Sequence, residues 1–138
     1  MIGVIVLAVV IVATLAAGTV LRARSGRIRA VETTTHAELD PALAAVGVGQ
    51  DVPVVLHFSA PWCGPCAAVR RVIEQILDGA PGSAREIELD LDENPSLART
   101  LGVLSLPTTF VFDADGRERF RVSGVPSPDD LRAALAAL

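Results

Sequence analysis

Lysine is absent from this chain, and cysteine, histidine and tryptophan are scarce: two, two and one in 138 residues. Without lysine there is no side-chain amine to form a Schiff base, so lysine chemistry is excluded. Two cysteines cannot build a disulfide scaffold. Cys63 and Cys66 enclose only two residues, so a bond between them would restrict little of the unfolded chain, and the thiols read as reactive groups rather than as a staple. Acidic residues are missing from positions 1–29, which hold four of the twelve arginines; residues 30–138 set eight Arg against all sixteen Asp and Glu, a net charge of −8. A domain this acidic lacks the clustered cations that phosphate contacts require, which argues against a nucleic-acid partner. There is no internal repeat, and no low-complexity segment beyond the apolar run at the start.

That run, from Ile2 to Leu21, is twenty residues without charge or proline, and only Thr14 and Thr19 carry side-chain polar groups. As a helix it would reach about 30 Å, the thickness of a bilayer's hydrocarbon core. A secretory signal peptide is the alternative, but its charges should precede a shorter apolar region. Here Arg22, Arg24, Arg27 and Arg29 follow the run at once. The expectation is therefore an uncleaved transmembrane anchor over residues 1–21, a basic juxtamembrane segment over 22–29 suited to anionic lipid heads, and one soluble domain over 30–138. The positive-inside rule puts the N-terminus outside and the domain in the cytoplasm. The Ala16-Ala17-Gly18 stretch keeps cleavage open, and an extracytoplasmic domain with it.

Beyond residue 26 the pattern alternates between strands and helices. Arg27 to Thr33 reads as a short strand and Ala37 to Val46 as a helix in which Pro41 is tolerable only in the first turn. Val54 to Ser59 is apolar and β-branched at its start, a buried strand. After Cys63, the residues Val69, Val72, Ile73, Ile76 and Leu77 fall on one helical face, closed by Gly79. Ile87, Leu89 and Leu91 alternate with Glu88, Asp90 and Asp92 as another strand. Asn94-Pro95-Ser96 can start a short helix ending near Gly102. Thr108 to Phe112 and Arg119 to Val122 flank Asp115-Gly116 and should form an antiparallel hairpin. Ser127 can cap a last helix with Pro128 at its first position, Asp129 and Asp130 at its positive end, and Leu131, Leu135 and Leu138 on one face. The sum is an α/β three-layer sandwich around one modest core.

The two thiols sit where that first long helix is expected to begin, at about Cys63. Exposed amides at a helix start favour a thiolate over a thiol. A free thiol of pKa ~8.5 is about 3% ionised at pH 7, and lowering it to ~7 raises the reactive fraction roughly fifteenfold. Cys63, after Trp62, is the expected nucleophile, and Cys66, one turn inward, the resolving thiol. Two other readings stay open. Zinc needs about four ligands, and the further candidates are only His36 and His57. Inert buried thiols sit poorly with the turn-forming Gly64 and Pro65.

Trp62-Cys63-Gly64-Pro65-Cys66 resembles the active site of the thioredoxin family, and the resemblance extends over roughly residues 50–138 through Asp92-Glu93-Asn94-Pro95, Leu106-Pro107-Thr108 and Ser123-Gly124. It implies the thioredoxin fold, a three-layer α/β/α sandwich with a mixed central sheet, here preceded by one transmembrane helix. It also implies a cis peptide bond before Pro107, facing the sulfurs, and a substrate groove formed by Trp62, Gly64, Pro65, Leu106, Pro107, Gly124 and Val125. The implied activity is reduction of protein disulfides by a CGPC dithiol, with no metal or organic cofactor. Electrons would come from a thioredoxin reductase or a membrane thiol donor, and the protein would act as a monomer at the plasma membrane. An outward-facing oxidoreductase serving exported proteins or cytochrome maturation is the alternative, and a redox-inert binding module is a third reading.

The chain departs from the family at several places. His57 stands where thioredoxins bury an aspartate thought to accept the inner cysteine's proton, and Glu88 stands where they carry a lysine. The expectation is that His57 takes over as base with Glu88 orienting it; the plainer reading is a space-filling histidine bonded to backbone. Arg71 replaces a kinking proline, so the helix should be straighter. Arg117, Arg119 and Arg121 share a face of the second hairpin strand, where they would blunt an edge or form a patch for an acidic partner.

Overall fold

A computed structural model of the chain describes residues 2–24, 26–31 and 39–138, the side chains of 22–24 excepted. His36 and the first two residues of the helix expected over 37–46 lie outside the described residues. The sheet is organised around β2 (Val54–Ser59), which is buried along its whole length. It runs parallel to β3 (Arg85–Asp90) on one side and antiparallel to β4 (Thr108–Phe112) on the other. β4 pairs antiparallel with β5 (Glu118–Ser123), and β5 receives the two-residue β1 (Arg29–Ala30), giving the order β1-β5-β4-β2-β3. The helices among the described residues are α1 (Ile2–Arg24), α2 (Pro41–Ala45), α3 (Cys66–Gly79), α4 (Pro95–Thr100) and α5 (Pro128–Ala136).

Side chains alternate across a strand, so an unbroken apolar run is stable only where both faces are covered. That is the case here. Val54, Leu56 and Phe58 join Phe110 and Phe112 in a core with Leu43 of α2 and with Leu97, Ala98 and Leu101 in and just beyond α4. On the opposite face Val55 and Val111 pack with Val69, Ile73 and Ile76 of α3 and with Leu131 of α5. The result is the mixed-sheet, three-layer arrangement expected. α5 begins as its sequence predicts: Ser127 Oγ accepts from Asp130 N at 3.1 Å, with Pro128 at the first position and Asp129 and Asp130 in the first turn.

Four expectations change in detail. The helix after the cysteines starts at Cys66 rather than at about Cys63, because Pro65 occupies its N-cap and the residues before it form turns. It then runs uninterrupted through Arg71 to Gly79. The second helix starts only at Pro41, capped by the Asp40 carboxylate, which accepts from Ala42 N at 2.7 Å. β5 is not the edge: β1 covers it, pairing Arg29 with Arg121 and Ala30 with Phe120. Arg117 lies in the turn before β5, where it pairs with Asp115 at 2.6 Å, while Arg119 reaches Asp113 at 3.5 Å and Arg121 grips Glu118 at 2.7 Å. The three guanidiniums answer local carboxylates and do not form a free basic patch.

Candidate active site

β2 and β3 are parallel, so both end at the same rim of the sheet, where Ser59 pairs with Asp90. The chain leaves β2 there and turns: Cys63 N donates to Ala60 O at 3.0 Å, and Cys66 N to Cys63 O at 3.4 Å. The two sulfurs are joined, S–S 2.08 Å with Cα atoms 5.6 Å apart. They are not equivalent. Cys63 is partly exposed, whereas Cys66, the first residue of α3, is 1% exposed. Its Sγ lies 4.0 Å from the Phe58 carbonyl oxygen. Cys63 therefore stands just outside the first turn of a fourteen-residue helix, where the orphan amides and the positive end of the dipole lie.

β4 brings the second segment to this rim. Thr108 pairs with Phe58, so the Leu106–Pro107 bond, which is cis, lies beside the end of β2. The turn is fastened on both sides: Thr108 Oγ1 donates to Ser105 O at 2.7 Å, and Gly124 N donates to Pro107 O at 2.8 Å. Gly124 has φ +92°, a backbone conformation that side chains rarely tolerate. Pro107 is buried and Leu106 partly so, while Gly64 and Pro65 are exposed, Trp62 is 67% exposed and Val125 36%. Two residues outside the expected groove also belong to this rim. Asp92 Oδ2 accepts from Trp62 Nε1 at 3.3 Å, and Leu104, in the loop before the cis bond, is 97% exposed. The parallel pairing of β2 with β3, had it been inferred, would have placed Asp92 next to Trp62.

His57, two residues before the end of β2, is fully buried. The expectation that Glu88 orients it is corrected: Nε2 lies 2.8 Å from Glu86 Oε1. Glu88 is the residue paired with His57 in register, but Arg70 of α3 holds both of its oxygens, Nε to Oε2 at 2.8 Å and Nη2 to Oε1 at 2.9 Å. A bidentate guanidinium outcompetes a single imidazole nitrogen for a carboxylate, and Glu86, two residues earlier on the same face of β3, answers the histidine. Arg70 holds the Glu88 carboxyl below its ordinary range, burial works the other way, and Ser59 and His57 add to the lowering. Glu88 in turn raises Arg70. Among the described residues, His57 Nδ1 and Thr109 Oγ1 are buried without a hydrogen-bond partner. Among the described residues no group of three or more His, Cys, Asp or Glu could hold a metal ion.

A thioredoxin family model matches residues 30–137. The chain belongs to the thioredoxin family. It is 38% identical over 76 residues to thioredoxin 1 of Nostoc sp., covering 55% of this chain and 71% of that one. It is 31% identical over 105 residues to a chloroplastic M-type thioredoxin of Chlamydomonas reinhardtii, covering 76% and 75%. Among solved structures it resembles chloroplastic thioredoxin z, with a TM-score of 0.62 and 25% identity over 75% of this chain and 96% of that one. Mitochondrial thioredoxin 3 from Saccharomyces cerevisiae gives 0.57 and 28%, over 65% and 82%. The protein is a thioredoxin-type thiol-disulfide oxidoreductase, a disulfide reductase whose redox-active group is the cysteine pair itself. Membership of the family implies protein disulfides as substrates and a reductase as partner.

Proposed function

We propose that this thioredoxin reduces protein disulfides while tethered to a membrane, with Cys63 as the attacking thiol, Cys66 as the resolving thiol and His57 as the proton acceptor. The observation that carries the assignment of roles is the inequality of the two sulfurs, one at the solvent side of the turn and one 1% exposed at the head of α3. In the reduced protein, amides at the helix start favour the Cys63 thiolate. Its sulfur attacks a substrate disulfide, forming a Cys63–substrate bond and releasing one substrate thiolate. Cys66 then gives its proton to His57, and its thiolate attacks Cys63 Sγ. The mixed disulfide breaks, the second substrate thiolate leaves with the bonding pair, and the Cys63–Cys66 bond closes. Two electrons pass from the dithiol to the substrate. A thioredoxin reductase or a membrane thiol donor restores the dithiol.

Trp62, Gly64, Pro65, Leu106, Pro107, Gly124 and Val125 would line the substrate groove around that sulfur. Trapping tests both roles: Cys66→Ser should accumulate disulfide-linked partners that Cys63→Ser does not, and equal yields from the two variants would reverse or remove the assignment.

The tether rests on α1. Ile2–Leu21 has a mean hydropathy of 2.8, none of it is buried, and it is long enough to cross a bilayer; a signal sequence near the N-terminus has the same description. The arginines that follow favour a cytoplasmic domain, with residues 2–21 as the anchor, 22–29 at the lipid surface and 30–138 as the catalytic domain of a monomer at the plasma membrane. An impermeant thiol reagent applied to intact cells should spare Cys63. Labelling of Cys63 would turn the domain outward, toward exported proteins or cytochrome maturation.

A further inference from the structure

The layer between the sheet and α3 contains an arrangement that fixes which nitrogen of His57 is basic. His57 lies two residues from Val55 along β2, so it shares the face that packs on α3. Its Nε2 is 2.8 Å from Glu86 Oε1, and the Glu86 side chain is 26% exposed. An ionised carboxylate can only accept a hydrogen bond, so Nε2 must carry the hydrogen, and the neutral ring's one free lone pair is then at Nδ1. That atom is buried with no partner among the described residues, and so is the hydroxyl of Thr109, the residue directly opposite on β4. Other groups around the ring leave this choice to Glu86. Glu88 is occupied at both oxygens by Arg70, and the facing residues of β2 and β4, Ser59 and Thr109, are uncharged. On the helix side, α3 carries Cys66 at its head, then Arg70, which grips Glu88, and Arg71, Glu74 and Asp78; the charges of Glu74 and Glu86 both act on Arg70.

We propose that Glu86 is a positioning residue for the thiol-disulfide step: its carboxylate holds His57 as the Nε2–H tautomer, which leaves the Nδ1 lone pair in the buried layer as the acceptor for the Cys66 proton. This rests on the reading of His57 as that acceptor. The step is balanced as follows. The Cys66 S–H bond breaks and its proton moves to Nδ1, and the sulfur's electron pair forms the bond to Cys63 Sγ. The pair of the Cys63–substrate bond leaves with the substrate. The resulting imidazolium faces the Glu86 anion, which compensates its charge, while the Arg70-bound Glu88 carboxylate also acts on the ring through its charge. When the disulfide is next reduced, Nδ1 can return the proton to Cys66.

The test uses the full chain in detergent micelles with 15N-labelled histidine, where long-range proton–nitrogen correlations report the tautomer directly and His57→Ala identifies the signals of His57 against those of His36. The wild type should show the Nε2–H pattern in the neutral ring. Glu86→Gln, whose amide can donate as well as accept, should lose that preference and slow resolution of a Cys63-linked mixed disulfide about tenfold, with the acid limb of the pH–rate profile moving to lower pH. Glu88→Gln should leave the tautomer pattern as it was. An Nδ1–H pattern in the wild type overturns the assignment without any substitution. So does an unchanged tautomer and rate in Glu86→Gln when His57→Ala has abolished the pH dependence; in that case the acceptor role of His57 stands and only Glu86 is dismissed. An unchanged pH–rate profile in His57→Ala removes the acceptor role itself, and the role of Glu86 with it.

Discussion

The two faces of β2 are made from one six-residue strand and do different work. Val54, Leu56 and Phe58 present only hydrocarbon, and Phe58 meets Phe110 edge to face with centroids 6.2 Å apart. Val55, His57 and Ser59 begin equally apolar at the far end and become polar toward the disulfide, with His57 retaining a buried nitrogen that has no partner among the described residues. An unpartnered buried polar atom costs on the order of 1–3 kcal/mol, a cost that packing alone gives no reason to carry. One face stabilises the fold, and the other gives up stability at the point where the proposed mechanism moves a proton.

The comparison can be broken in several places. The largest effect is expected at the rim: Cys63→Ser should lower insulin-disulfide reduction on the order of a thousandfold or more, since the attacking sulfur has no substitute. A variant retaining substantial turnover would mean that the chemistry lies elsewhere. On the apolar face, Phe58→Ala should cost about 3–5 kcal/mol in urea unfolding through lost contacts and a cavity. On the other face, His57→Leu should slow mixed-disulfide resolution on the order of a hundredfold while changing stability by no more than about 1 kcal/mol, because the lost Glu86 bond is offset by relief of the unpartnered nitrogen. If urea unfolding found His57→Leu as costly as Phe58→Ala, the two faces would not differ in the way described.

Smaller effects sharpen the picture. Ser127→Ala removes the cap of the helix that carries Leu131 into the α3 side of the core and should cost about 1 kcal/mol by thermal unfolding. The Arg70–Glu88 pair should matter least, being partly exposed and open to screening by salt. Its sign is nonetheless fixed. Arg70 lowers the folded-state pKa of Glu88 below the ordinary 4.5, so the pair's contribution is present above that value and is lost as pH falls through the folded one. Wild type and Arg70→Gln should therefore differ slightly at neutrality and converge in stability as pH falls from about 4.5 through the lower folded-state value; a difference that grew toward acid would contradict the pairing.

Much of this was legible in the linear chain because the signals are local. The spacing of Val69, Ile73 and Ile76 specifies a helical face, and Ser127-Pro128-Asp129-Asp130 carries its own start signal. The residues hardest to read are those whose partners come from other elements. Glu88 stands beside His57 in register, yet Arg70, arriving from α3, takes it and leaves Glu86 to the imidazole. Arg121 looked like one of three edge charges, but the short β1 had already covered that edge. The helix start shifted from Cys63 to Cys66 because a proline at the cap position and a turn before it are compatible with either boundary until the backbone is seen.

Arg121 has a consequence for how this protein meets others. From β5 it donates to the Leu101 carbonyl at 2.8 Å, binds Glu118 through both its Nε and Nη2, and lies 4.7 Å above the centre of the Phe110 ring. One side chain thus pins the outgoing end of α4 to the floor of the sheet, while the hydroxyl of Thr108 secures the segment's other end. The stretch between them, with the protruding Leu104 and the cis proline, is held like a bridge between two piers. If the groove proposed above receives the substrate, an incoming polypeptide meets a contour already set before contact, and little ordering of this loop remains when the two associate.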